Sequence, residues 1–392
     1  MTQFDLVLAG GTVIDPASGL HDRRDIGIRD GRIAAIEPSL VEAEAEAVID
    51  AVDRFVVPGL VDLHVHVYPG VADLSVDADA TCLGRGVTTV ADGGSAGANT
   101  WPGFRRWVVD TARTRVVAFL NISLLGQVDT HLGELHDLRF ADPERAARVA
   151  VANPDAIVGF KVRLSGTLAG YNGLEALRRA LWAGRATGLP VMAHIGGTPF
   201  EIGSALALMA AGDIVTHSFT GWNPGGIVDD DGRVIPAALD ARARGVRFDL
   251  GHGGGSFSWA AAEAAIADGF EPDTISTDLH RFNIAGPVGD LPETMSKLLH
   301  LGVPLGRVIA KTTTAPATSL GIPGRGVGRL ELGGVADVTV LAIEEAPRAL
   351  ADSLGAVRTV TRHLVPVGVV RAGVSVPIQP RVTDPPGGIS PG

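Results

Sequence analysis

The 392-residue chain contains one cysteine, two tyrosines and three lysines, and each scarcity excludes something. Cys82 has no partner for an internal disulfide, so an apolar core has to hold the fold. The opening residues, MTQFDLVLAGG, lack a basic segment followed by a long apolar one and do not read as a signal peptide. Nor is there a run of 18 or more apolar residues, so no helix is expected to span a membrane. These readings point to a cytoplasmic location. Basic clusters are missing as well. With a formal net charge of −11, the chain lacks the electrostatic footprint of a nucleic-acid surface, and small molecules are the expected partners. What is present is ordinary globular composition, 46% hydrophobic and 20% charged, suited to an enzyme or binding protein with a large core.

Both ends of the chain have the texture of short strands. FDLVLAGGTVID and DIGIRDGRIAAIE alternate in polarity, and Asp30-Gly31 is a hairpin signal. The pattern returns in GRLELGGVADVTVLAI and VGVVRAGVSV. Residues 1–57 and 323–392 are therefore expected to form one composite domain, a small β-sandwich. The acidic EAEAEA at 42–47 reads as a solvated stretch, and RVTDPPGGISPG as a mobile tail with little to bury.

The middle has a different rhythm. Eight strand-like runs, VDLHVHV, GVTTVADGG, RVVAFLNISLLG, IVGFKVRLSG, PVMAHIGG, DIVTHSFTG, VRFDLGHGG and TISTDLH, alternate with helical patterns. One helix is expected to start with Asp142 as N-cap and Pro143 in the first turn, and another to end at Gly188. Residues 58–322 thus match a (β/α)8 TIM barrel, with a doubly wound open sheet as the alternative.

Barrel sites form at the C-terminal ends of the strands. In VDLHVHVYPG, Asp62, His64, His66 and Tyr68 alternate with Val61, Leu63, Val65 and Val67, giving one polar and one oily face. Lys161, His194, His217 and Asp278 stand in other strands where Val, Ile or Leu is ordinary. A lone strand histidine is usually a hydrogen-bonded core residue. Four on three strands, with a carboxylate, form a ligand set for a borderline divalent ion such as zinc. Lys161 is anomalous beside a cation. The chain uses Arg for 30 of its 33 basic residues and keeps lysine only at 161, 297 and 311, so an amine of tunable pKa inside IVGFKVRL suggests chemistry. Lys297 carries no such signal, and Lys297→Ala is expected to retain metal and activity.

Taken in order, VVPGLVD, VDLHVHV, GFKVRLSG, MAHIG, VTHSF and STDLH resemble the amidohydrolase superfamily, of the dihydroorotase and hydantoinase type with a carboxylated lysine. The resemblance covers nearly the whole chain. It implies two divalent metal ions, one held by His64, His66 and Asp278 and the other by His194 and His217, with a CO2-derived carbamate on Lys161 bridging them. It also implies hydrolysis of an amide or ester, with Asp278 shuttling the proton. Dihydroorotase-like sequences follow the metal histidines with an Arg, where this chain has Tyr68. The pattern is more similar to a deacetylase-like group expected to act on small acylated hydroxy or amino acids. A cyclic amide hydrolase is the alternative activity, and a non-catalytic scaffold of the same fold the alternative class. Expected substrate contacts are Tyr68, His252, His280 and Arg163. Arg163 reads either as a carboxylate anchor or as a rim residue in a surface ion pair. His131 and His136 belong to a lid or to a solvated loop, and His21, His300 and His363 read as structural. A homo-oligomer is left open.

Overall fold

The computed structural model describes residues 2–40, 43–222 and 224–383. Seven parallel strands form one sheet in unbroken chain order: Leu60–Val65, Val87–Asp92, Arg115–Asn121, Ile157–Arg163, Val191–His194, Ile214–Thr216 and Arg247–Phe248. Consecutive order without reversal is not that of a doubly wound sheet, which needs a point where the order turns back. Leu60–Val65, Val87–Asp92 and Ile157–Arg163 are buried along their whole length, as parallel strands covered on both faces must be.

The eighth expected strand, in TISTDLH, makes no regular ladder. Single parallel bridges join Thr274 to Asp249 and Leu279 to Val65, so the segment touches both outer strands and the sheet has to curl to meet it. The Leu250 N–H donates to the Thr274 carbonyl at 3.0 Å, and the Asp278 N–H donates to the His64 carbonyl at 2.7 Å. Asp62 clamps the segment further, accepting from the Thr277 N–H at 3.1 Å and its hydroxyl at 2.6 Å. Regular pairing fails because Asp278 has φ 50°, which takes the chain out of the extended conformation.

The local helix signals hold. Asp142 caps Pro143–Val151 by accepting from the Arg145 N–H at 3.0 Å. Gly188 ends Gly173–Thr187 in the left-handed conformation, φ 72°.

The chain ends share a second sheet of eight strands. Val374–Val376, His363–Arg371, Val338–Glu344, Phe55–Pro58, Phe4–Asp15, Leu20–Arg29 and Arg32–Glu37 lie in that order. Leu6, Leu8, Ile26, Val56, Val338 and Val370 pack in a common core. The Asp30-Gly31 turn has φ 53° and 71°, the left-handed pair a two-residue hairpin requires. The eighth strand, Ala45–Asp50, pairs parallel with Phe4–Asp15. Within the acidic stretch, Glu44, Glu46 and Ala47 are exposed, as a solvated stretch would be, while the backbone of residues 45–47 is paired. A hairpin of Arg348–Ala351 and Val357–Val360 joins neither sheet. It is held by Trp259, whose N–H donates to Asp352 Oδ2 at 3.0 Å and whose indole N–H donates to the Leu350 carbonyl at 3.3 Å. Residues 384–392 of the tail lie outside the described residues. Among the described residues no helix is long and apolar enough to cross a membrane.

Candidate active site

Six side chains from five separate segments meet at one end of the parallel sheet. His64 Nε2 lies 2.9 Å from Lys161 Nζ and 3.3 Å from Asp278 Oδ1. His66 Nε2 lies 2.9 Å from the same Asp278 oxygen. His194 Nδ1 and His217 Nε2 face each other at 2.9 Å, and His217 Nε2 is 3.9 Å from Asp278 Oδ2. Ligand atoms of His64, His217 and Asp278 all fall within 4.8 Å of one another. Two of these residues have left-handed backbones, His217 at φ 70° and Asp278 at φ 50°. For residues with a Cβ such strain is kept mainly where a site needs it. Gly93 supplies the opposite economy: a Cβ there would stand 2.2 Å from the His64 ring, so only glycine lets the backbone pass.

Partners behind the imidazoles decide which nitrogen faces inward. The His217 Nδ1–H donates to the Gly251 carbonyl at 2.6 Å; a carbonyl only accepts, so Nε2 presents a lone pair. The Thr216 hydroxyl donates to Asp249 Oδ2 at 2.8 Å, which leaves its oxygen to accept from the His64 Nδ1–H at 3.0 Å. His64 therefore also points an Nε2 lone pair inward. Asp249 accepts two further bonds, from Thr274 and Ser276, and burial pushes its carboxyl up to about 6. Ser95 Oγ stands 2.9 Å from His66 Nδ1.

Burial keeps the histidines neutral, lowering His66 to about 3 and His217 to about 4, and His64 and His194 well below the ordinary range. Lys161 is brought down to about 7, with burial as the main cause and Asp278 opposing it. Its Nζ is near His64 Nε2 and, at 3.5 Å, Met192 Sδ. Inward lone pairs, neutral imidazoles, a carboxylate and a weakly basic amine make a donor set that fits divalent cations.

Four members of the cluster, Lys161, His66, His194 and Asp278, line a cavity of about 330 Å³; His64 and His217 are buried and do not reach it. Arg163 and His280 line it too, with the half-exposed Trp222 and Phe282. Burial lowers His280 to about 4. Arg163 is in an ion pair, as one of its two readings anticipated, but a buried one. Its Nε and one Nη donate at 2.6 Å each to the two carboxylate oxygens of Glu134.

Tyr68 and His252, both expected to touch substrate, are absent from the cavity lining. The first strand ends at Val65, so alternation no longer directs Tyr68; its hydroxyl donates to the Thr100 carbonyl at 3.0 Å and its ring packs edge-on against Phe104. His252 stacks on Phe257 and accepts from Lys297 Nζ at 2.6 Å. Lys297 is a structural donor. It is fully buried and also donates to the carbonyls of Pro287 at 2.9 Å and Ala351 at 2.7 Å. His131 and His136 are exposed and off the cavity, His136 against the Thr167 carbonyl. His21 and His300 are exposed, and His363 is buried against the Ala346 carbonyl.

Sequence reasoning missed Asp249, Glu134 and Lys297. Asp249 had a signal, a carboxylate inside the apolar run VRFDL. Glu134 had none, since it lies in the long connection after the third strand, where polar residues are ordinary.

A sequence model described as the Amidohydrolase family matches residues 55–376. A deacetylase of Agrobacterium fabrum (strain C58) is 37% identical over 338 residues, covering 86% of this chain and 82% of the relative. A crystal structure of a dihydroorotase superposes with a TM-score of 0.89 at 35% identity, over 96% of this chain and 100% of the other. One of an adenine deaminase gives the same TM-score at 33% identity, with the same two coverages. The match of the family model over most of the chain, together with the 37% identical relative covered over 82% of its length, shows that this protein belongs to the amidohydrolase family.

Proposed function

We propose that the protein is a binuclear zinc hydrolase that deacetylates small acylated hydroxy or amino acids. The observation that carries this reading is the convergence of four neutral imidazoles, Asp278 and a buried, weakly basic Lys161 in one cluster, of which His66, His194, Lys161 and Asp278 line the cavity. His64, His66 and Asp278 would hold one ion and His194 and His217 the other, with carbamylated Lys161 shared between them. An amine at about 7 is substantially neutral near physiological pH, as addition of CO2 requires. When bound, the ions supply a water of low pKa and polarise the scissile carbonyl.

The chain's own residues do the rest. Asp278 takes the proton of the attacking water and returns it to the departing oxygen or nitrogen. Arg163 lines the wall two residues beyond Lys161 and binds a substrate carboxylate. His280, neutral and on the same wall, contacts the remainder. The fold in this reading is a (β/α)8 barrel over residues 58–322 with 274–280 as its last stave. Residues 1–57 and 323–392 form the composite β-sandwich, apart from the hairpin that packs on Trp259. A lone buried cysteine agrees with a reducing, cytoplasmic setting.

The likeness to a dihydroorotase supports a second reading, hydrolysis of a cyclic amide. Against it, position 68 is a tyrosine turned into the core rather than a cation in the cavity. Assay of zinc-loaded protein against acetylated hydroxy acids, acetylated amino acids, dihydroorotate and hydantoins separates the two. Turnover confined to the cyclic amides overturns the deacetylase reading.

A further inference from the structure

We infer that Glu134 is a positioning residue for substrate recognition, which holds the Arg163 guanidinium so that its second edge is offered to a carboxylate in the cavity. The inference rests on the reading of Arg163 as a carboxylate anchor and adds the group that makes it one.

A guanidinium has five N–H donors arranged along two usable edges. Glu134 takes one edge, through Nε and one Nη, at 2.6 Å each. Among the described residues the Arg163 side chain has no other hydrogen-bond partner. Both side chains are buried, 9% and 3% exposed, yet only Arg163 lines the cavity. Glu134 therefore grips from behind, and the remaining Nη hydrogens have the cavity side left to them. That edge matches two acceptor oxygens on one carbon.

Glu134 has two opposed effects on an incoming carboxylate. Its charge repels the substrate from the far side of the guanidinium. Its contact also fixes an otherwise unpaired buried cation, which would turn towards the nearest carboxylate, and Asp278 lines the same cavity. The second effect is the larger, because it acts at hydrogen-bond distance and because a desolvated cation without a partner is costly. Glu134 thus keeps Arg163 on the substrate and away from Asp278.

The test compares wild type, Glu134→Gln, Arg163→Met and the double variant, all zinc-loaded, with melting temperature and metal content measured for each. The double variant removes both buried charges and guards against misreading a folding defect. Lactate and its uncharged amide are titrated calorimetrically, and O-acetyl-lactate and its methyl ester are assayed for turnover. Glu134→Gln should weaken lactate binding and raise KM for O-acetyl-lactate by about tenfold, leave kcat within about twofold, and spare the amide and the methyl ester. In the Arg163→Met background the same change should add less than about twofold, since Glu134 acts through Arg163. Tighter lactate binding by Glu134→Gln, equal losses on charged and neutral ligands, additive effects, or no binding of lactate by wild type would each overturn the inference. Selective lactate binding without turnover of either ester would leave it standing and count instead against O-acetylated hydroxy acids as the substrates.

Discussion

Lys161 Nζ lies 2.9 Å from His64 Nε2, both fully buried, with the imidazole lone pair turned to the amine by the Thr216 bond behind it. A lysine held this way among neutral ligands has its chemistry in the site. Lys161→Ala should lose bound metal and at least about 10³ in kcat, the scale of removing a group on which the others depend. Short carboxylic acids should partly restore both. Elemental analysis and assay of one sample check this, and a metal-loaded crystal structure with an unmodified amine would refute the bridge.

The pH dependence of metal loading should follow the same amine. Its pKa in the fold, about 7, lies below the ordinary 10.5, so the neutral form that accepts CO2 gains as pH rises through that value. His66 at about 3 and His217 at about 4 are neutral throughout this range and do not limit it. Zinc uptake by metal-free protein in bicarbonate should rise between about pH 6 and about pH 8. A flat profile would remove Lys161 as the limiting group.

Asp278 touches His64 and His66 through one oxygen and approaches His217 with the other. Asp278→Asn should lower kcat by a factor of roughly 10² or more, the range for a lost acid–base group. Metal content has to be followed in the same preparation, because the carboxylate is also a ligand candidate. Full activity with full metal would leave the proton to another residue.

Thr216 links His64 to Asp249. Thr216→Val keeps the shape and removes the oxygen that accepts from Nδ1–H, so the imidazole loses its orientation. Metal affinity should fall about 10–100-fold, as for other groups behind a ligand. Competition with a chelator of known affinity measures it, and an unchanged constant would show that packing alone orients His64.

Lys297→Ala should destabilise the fold rather than pass unnoticed. It leaves His252 Nε2 and the carbonyls of Pro287 and Ala351 without their donor, at about 1–3 kcal/mol for each buried acceptor left unpaired. Thermal melting should show a drop of several degrees or more, while metal content per folded chain stays as in wild type. An unchanged melting temperature would show that water replaces the amine.

The metal-ligand candidates were readable from the chain because each is a polar residue in or at the end of an otherwise apolar run, and a parallel strand covered on both faces has few reasons to carry one. The caps at Asp142 and Gly188 and the turn at Asp30-Gly31 were readable for a related reason: they depend on residues within a few positions of each other. The strand ends at Val65, yet alternation still placed His66 in the site; it failed only at Tyr68, which turns into the core.

Everything else of consequence joins residues far apart in sequence. Glu134 meets Arg163, Lys297 meets His252, and the 348–360 hairpin packs on Trp259 instead of joining the terminal sheet. No local period encodes such pairs, because a loop carboxylate or a helix lysine looks the same whether solvent or a buried partner awaits it. The chain alone thus specified which residues are candidates to bind a cation and in what order they come. Packing selected the partners of the neighbouring charges, since burial makes an unpaired charge too costly to leave and the partner has to be whichever group the fold brings within reach.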